Sequence, residues 1–235
     1  MILIQSENLK NVVVALLEKG GSNAEEANTV ASHLVRSNLC GHDSHGVGMM
    51  PLYMNKLGEG LLNPNQKPEK VKEDGSILMF EGNRGYGQSV VKKAMEQALE
   101  LCKEKGLVLM TVRNSYHMGR IGTYGEQSIA AGMVSLHFVN VTDHPPLVAP
   151  FRGSDARFAT NPICIAMPGT AKQPPVYLTW PQAGSLLEKF VLPSTKENIC
   201  RKIGSLTTVV NQAVTRQSWR VTSTMIQARK ILPVP

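Results

Sequence analysis

The chain has 235 residues, 42% of them hydrophobic, 18% charged and only 5% aromatic. That is enough to bury a core for one sizeable domain or two small ones, and it excludes a disordered, collagen-like or disulfide-scaffold chain. The net charge is +7, and it is uneven: residues 179–235 hold eight Lys or Arg against two acids, with no Asp and no His, whereas residues 1–178 hold 17 basic and 16 acidic residues. The longest apolar run, Val12 to Leu17, is far too short for a bilayer span, and no charged n-region leads an apolar stretch into a small-residue cleavage site. Cys40, Cys102, Cys164 and Cys200 form no C-x-x-C pair, which reads as reduced thiols and makes a cytoplasmic location the expectation.

In chain order, Ser6 to Glu18 is a predicted helix closed by Gly20-Gly21. Ser22-Asn23-Ala24-Glu25 has the capping-box pattern, with Glu25 placed to reach back to the cap residue, and the next helix carries Ala27, Val30, Ala31, Leu34 and Val35 on one face. Gly41 to Gly46 follows as a loop, then a helix from Met50 to Gly58. Ser76 to Phe80 reads as a strand and Gln88 to Lys105 as the clearest helix, with an apolar stripe through Val90, Val91, Ala94, Ala98, Leu101 and Cys102. Leu107 to Val112 is a strand, Asn114 to Gly122 a polar loop opening a helix that ends near Gly132, and Val134 to Val139 another strand. Ile163 to Met167 and Val176 to Leu178 are two more short strands. The alternation implies an α/β architecture.

Two clusters carry candidate chemistry. His42-Asp43-Ser44-His45-Gly46 places two imidazoles, a carboxylate and a hydroxyl in five loop residues. An imidazole titrating near neutrality and steered by a hydroxyl suits acid–base catalysis. Metal ligation and a plain polar turn are the alternatives, and no H-E-x-x-H helix or Cys pair supports a metal. His117-Met118-Gly119-Arg120-Ile121-Gly122 combines glycines, a helix start and a guanidinium, which suits a nucleotide diphosphate or is simply a helix N-terminus. No G-x-G-x-x-G follows a strand, so a dinucleotide site here belongs to a fold other than the Rossmann fold. Thr160-Asn161-Pro162 offers a hydroxyl and an amide just before a strand, and the eleven methionines, Met49, Met50 and Met54 among them, read as core filler.

Taken together, HDSHGVGMMPLY (His42 to Tyr53), GNRGYGQ (Gly82 to Gln88), NSYHMGRIG (Asn114 to Gly122) and ATNPICIAMP (Ala159 to Pro168) resemble the malate/L-lactate dehydrogenase family, in order and spacing across residues 1–178. The resemblance implies a mixed-sheet α/β fold with flanking helices, NAD or NADP as cofactor, a small 2-hydroxy or 2-oxo acid as substrate and a homodimer, with no metal, nucleic acid or membrane partner. It puts the proton donor on His45 with Ser44 as its relay. It puts His117, a catalytic candidate, with Met118, Gly119, Arg120, Ile121 and Gly122 on the segment lining cofactor and active site, and Thr160 and Asn161 near the same cleft. Some members carry a carboxylate-binding Arg four residues after the donor. Met49 holds that position here, which leaves Arg120 and Arg157 as the nearest basic candidates. Oxidising a 2-hydroxy acid needs a base for the hydroxyl proton, a cation or dipole for the carboxylate and a cofactor at contact distance, which agrees with these groups.

The resemblance stops at Leu178, where members continue Asp-Met-Ala-Thr-Ser and this chain reads Thr179-Trp180-Pro181-Gln182-Ala183. One nucleotide missing after the Leu178 codon lets permitted codons regroup to Asp-Met-Ala-Thr-Ser and then Arg-Val-Ala-Ala-Gly-Lys. Residues 1–178 are therefore expected to form the family-like region and residues 179–235 an out-of-frame tail. In that tail Leu206 to Val214 and Val221 to Ile226 show no pattern suited to packing, and Thr179 stands where members have a relay aspartate. A non-enzymatic nucleotide-binding module with a nucleic-acid-contacting basic tail is the competing reading, and a metal-dependent hydrolase is a third.

Overall fold

The first two helices fold against each other because each carries a single apolar stripe. α1 (Ser6–Lys19) and α2 (Ala24–Leu39) bury Val13, Leu17, Ala27, Val30, Ala31 and Leu34 in one cluster, which Met50, Tyr53, Leu62 and Tyr86 complete. A computed structural model describes residues 3–141, 146 and 148–180, and the backbone of 223–229. The α2 cap lies one residue later than the capping-box pattern implies. Asn23 is the N-cap, its side chain accepting from the Glu26 amide at 2.9 Å. The acid that answers it is Glu26, 2% exposed, whose carboxylate accepts from the Ser22 hydroxyl and the Asn65 amide, each at 2.8 Å. Glu25 faces outward and pairs with Lys93 at 2.8 Å. An Asn caps as well as a Ser, and the carboxylate on the inner face collects the buried donors.

The loop after α2 forms two 3₁₀ turns, Asp43–His45 and Val47–Met49, before α3 (Met50–Gly58). The chain then runs through β1 (Glu69–Asp74), β2 (Ile77–Glu81), α4 (Gly87–Lys105), β3 (Leu107–Arg113), α5 (Gly122–Ala130), β4 (Met133–Val139), β5 (Ile163–Met167) and β6 (Val176–Trp180), with β7 (Ser223–Arg229) from the basic tail. These strands form one mixed sheet in the order β1-β2-β3-β7-β4-β5-β6. β2 and β3 are parallel across the α4 crossover, and the other pairings are antiparallel. Period-2 burial on β2 and β3 presents Leu78, Phe80, Val108, Met110 and Val112 to the Val90, Val91, Ala94, Met95 and Ala98 stripe of α4. The α/β class with a mixed sheet and flanking helices is the one expected.

Three elements differ from the sequence reading. β1 carries five charged residues in six and is exposed throughout. It has no hydrophobic alternation, and it forms because its backbone pairs with β2 across a tight turn. Charged side chains on such an outer strand also deter pairing with another chain. β6 continues through Thr179 and Trp180, beyond the expected strand end at Leu178. The backbone of β7 sits between β3 and β4, with Ile226 opposite both Leu109 and Leu136. Ladder hydrogen bonds on both sides hold a segment whose side-chain pattern announces nothing. Leu206 to Val214, Cys200 and Trp219 lie outside the described residues.

Gly87, the first residue of α4, links this packing to the loop beyond β3. A Cβ there would run into the Tyr116 carbonyl and the Met118 Cα, both backbone atoms that cannot rotate away. Gly87→Ala should therefore cost about 1–3 kcal/mol of stability through overpacking. The urea midpoint should fall with an unchanged slope. Gly58→Ala, whose Cβ meets open space at the end of α3, should leave the midpoint unchanged or higher.

Candidate active site

Asn38, near the end of α2, shapes the first cluster. Its amide donates to Asp43 Oδ1 at 2.5 Å and its carbonyl oxygen accepts from the Val47 amide at 2.9 Å, which folds the loop back on the helix. Backbone bonds from His45 to His42 and from Gly46 to Asp43 close the 3₁₀ turn. Ser44 Oγ and His45 Nδ1 then lie 2.9 Å apart. The His45 ring stands 5.3 Å from that of His117, tilted by 30°. His117 Nδ1 is 2.7 Å from the Tyr53 hydroxyl, which accepts from Gln88 Nε2 at 2.7 Å. Four segments converge here: the Gly41–Gly46 loop, α3 through Tyr53, α4 through Gln88, and the loop after β3.

Residues 117–122 are held from α2 and α5. The Arg120 amide donates to His33 Nε2 at 2.9 Å, and the Tyr124 hydroxyl donates to the Met118 carbonyl at 2.6 Å. Gly119 has φ +73° and packs so closely on the His33 ring that a Cβ would overlap it. Met118 and Ile121 are buried in the sheet core. Arg120 is only 3% exposed, and its Nη2 pairs with Glu126 at 2.6 Å. Arg120, Ser44, His42, Asp43, Tyr177 and Thr179 share the lining of a cavity of about 790 Å³. Two buried polar atoms beside this loop, Arg120 Nε and Thr123 Oγ1, lack a hydrogen-bond partner among the described residues.

Burial controls the protonation of these groups. Desolvation, then the charge of His42, depresses the His45 pKa. Desolvation, then His45, takes His117 down to about 4, and desolvation, then Arg120, takes His33 down to about 3. On β4, His137 lies 2.7 Å from Ser135 Oγ with its pKa pushed by burial to about 3. Burial raises the Tyr53 phenol. At neutral pH the imidazoles of His33, His117 and His137 are therefore neutral.

Ser44, His45 and His117 come together, and Met118 to Gly122 form the adjoining wall. Thr160 is exposed, and Asn161 Oδ1 accepts from the Val141 amide at 3.2 Å. Among the described residues neither has a hydrogen bond or ring contact with His45 or His117. Arg157 is exposed and pairs with Asp155 at 3.2 Å. No three His, Cys, Asp or Glu side chains are grouped to hold a metal among the described residues. Sequence reasoning missed Tyr53, Gln88, His33 and Asn38. Tyr53 and Gln88 end two of the motif segments, so their place was legible although their roles were not. His33 and Asn38 sit on α2 with no local signal.

Residues 4–178 match the sequence profile of the family described as malate/L-lactate dehydrogenase. Hydroxycarboxylate dehydrogenase B of Escherichia coli K12 is 42% identical over 163 residues, which is 69% of this chain and 45% of that protein. L-lactate dehydrogenase of Cupriavidus necator is 42% identical over 153 residues, 65% of this chain and 44% of that one. The solved sulfolactate dehydrogenase of Methanocaldococcus jannaschii superposes with a TM-score of 0.72 at 33% identity, covering 77% of this chain and 51% of that one. The chain spans about half the length of the curated relatives it matches.

His33, His117 and His137 tie stability to pH. With folded pKa values of about 3, 4 and 3 against an ordinary 6.5, each binds fewer protons in the folded chain than in the unfolded one across that window. Acid therefore favours unfolding. Their contribution is complete above pH 6.5 and is lost as pH falls toward the folded values, by up to about 1.4 kcal/mol per pH unit for each group. Chemical denaturation between pH 7.5 and 4.5 should show the loss, and a His137→Asn variant should lose less per pH unit than the parent.

Proposed function

The chain belongs to the malate/L-lactate dehydrogenase family, and on that premise we propose that residues 1–178 carry the proton-transfer half of an NAD- or NADP-dependent oxidoreductase. Its substrates are small 2-hydroxy acids such as malate or L-lactate, it works as a homodimer, and its location is the cytoplasm. The observation that carries the reading is the Ser44–His45 pair at 2.9 Å, with the His117 ring 5.3 Å from that of His45.

His45 takes the substrate hydroxyl proton during oxidation and returns it during reduction. Burial keeps its imidazole neutral and ready to accept. Ser44 holds Nδ1, which leaves Nε2 for exchange with substrate, and its oxygen can accept from the imidazolium once it forms. The orphaned Arg120 Nε, on a side chain that lines the cavity beside Ser44, fits a polar, anionic ligand. The 117–122 wall, with Thr160 and Asn161, would hold the nicotinamide cofactor, whose ring supplies or receives the hydride when bound. Arg120 is the cation of this wall, and Glu126 fixes its guanidinium.

Residues 179–235 are the tail of a shifted reading frame. Restoring the frame places an aspartate at 179, in the cavity that Ser44 and Arg120 also line, where an anion can stabilise a charged imidazole and Thr179 cannot. Resequencing the encoding DNA tests the slip directly.

Nicotinamide absorbance with malate or L-lactate tests the rest. The frame-restored protein should turn over and the 235-residue chain should not. In the restored protein His45→Ala should lower turnover by about 10²–10⁴-fold with nearly intact cofactor affinity, and Ser44→Ala should cost less. Turnover within a few-fold after His45→Ala would remove the assignment. Arg120→Ala should raise the apparent cofactor constant more than it lowers turnover. An unchanged constant returns the 117–122 segment to a purely structural helix start.

A further inference from the structure

The link from Gln88 through Tyr53 to His117 favours one arrangement of protons. Tyr53 is fully buried, and its hydroxyl has one proton to give. Gln88 Nε2 approaches the hydroxyl oxygen at 2.7 Å as a donor, since an amide nitrogen does not accept. The tyrosine proton is then directed to His117 Nδ1, also at 2.7 Å. Turning the Gln88 amide over would not relieve the site. It would leave both buried amide N–H donors without a partner, against one N–H and one carbonyl oxygen, Gln88 Oε1, without a partner among the described residues in the present orientation, and orphaned donors are the costlier defect. Burial suppresses ionisation of the Tyr53 phenol, so the hydroxyl stays a donor. His117 is neutral at neutral pH, and a neutral ring whose Nδ1 accepts carries its proton on Nε2.

We propose that Tyr53, braced by Gln88, is a positioning residue that locks His117 as the Nε2-protonated tautomer, so that His117 presents an N–H donor to an oxygen of the acid substrate and does not act as a second base. The ligand in this statement rests on the function proposed above, and the tautomer does not. The two imidazoles thereby divide their work. The Nδ1 of His45 faces Ser44, a hydroxyl that can donate or accept, so His45 is free to change protonation. Protonating His117 at Nδ1 would make the Tyr53 oxygen accept from both Gln88 and His117 and turn its own buried proton away from any acceptor among the described residues, a cost that weighs against His117 as the group that shuttles. Edge contacts from Tyr86 and Tyr116 to the Tyr53 ring, at 5.7 and 5.8 Å, keep the hydroxyl aimed.

The test is a long-range proton–nitrogen correlation spectrum of the full 235-residue chain labelled with ¹⁵N-histidine, with His117 assigned by its loss in His117→Asn. At pH 7 the His117 Nδ1 should resonate as an unprotonated ring nitrogen and Nε2 as a protonated one. In Tyr53→Phe the two nitrogens should move toward the averaged shifts of a free tautomer mixture, and Gln88→Ala should move them partway if Tyr53→Phe does not fold. A protonated Nδ1 in the parent chain overturns the proposal. So does a parent-like spectrum in a folded Tyr53→Phe or Gln88→Ala protein. The spectrum requires no turnover, so its failure would leave the His45→Ala result standing, and loss of the His45 assignment would leave the tautomer standing.

Discussion

The packing of α4 on the parallel pair β2 and β3 is the contact on which the site depends. A crossover helix must lie back along its two strands, and here that places its first turn beside the exit of β3. Gly87 then meets the Tyr116–Met118 backbone without a side chain between them, and Gln88 reaches Tyr53. The apolar stripe of α4 thus sets the distance between the helical cluster that carries Tyr53 and the loop that carries His117. Core packing sets the position of the site, and the loops' own hydrogen bonds complete its geometry.

The second constraint is the cost of burying charge. Imidazoles that are taken from water without an anionic partner stay neutral, and His33, His117 and His137 show this. For His33 the neutral state is what the fold uses, because an unprotonated Nε2 is the acceptor that anchors the Arg120 amide. For a proton-transfer site the same neutrality favours accepting a proton over giving one. A nearby carboxylate would shift that balance, and position 179, on β6 and lining the cavity beside Ser44, is where the frame restoration proposed above would supply one.

The strand from the basic tail shows a different physics. Its backbone pairs on both sides, with β3 and β4, so backbone hydrogen bonding is the interaction that defines its place. A sheet with a gap between two strands leaves two rows of unpaired N–H and C=O groups, and an extended segment satisfies both with little regard for its sequence. β1 makes the same point at the sheet's outer edge, where five charged residues in six still form a strand against β2.

Local pattern determined much of this protein from the sequence alone. The apolar stripes of α1, α2 and α4, the alternation in β2 and β3, the α/β class, and the motif segments holding Ser44, His45 and His117 all rest on short-range spacing, which packing then preserves. The shift of the α2 cap from Ser22 to Asn23 already lay beyond that range, because the answering Glu26 is chosen by donors such as the Asn65 amide, far along the chain. Only the tertiary structure joined Tyr53 and Gln88 to His117, set His33 under Gly119, and turned Arg120 inward onto Glu126. These are contacts between residues brought together by helix and sheet packing, in which a buried polar group takes whichever partner the fold delivers. No spacing along the chain encodes that choice, because the penalty for an unpaired buried group exists only once the chain has closed around it.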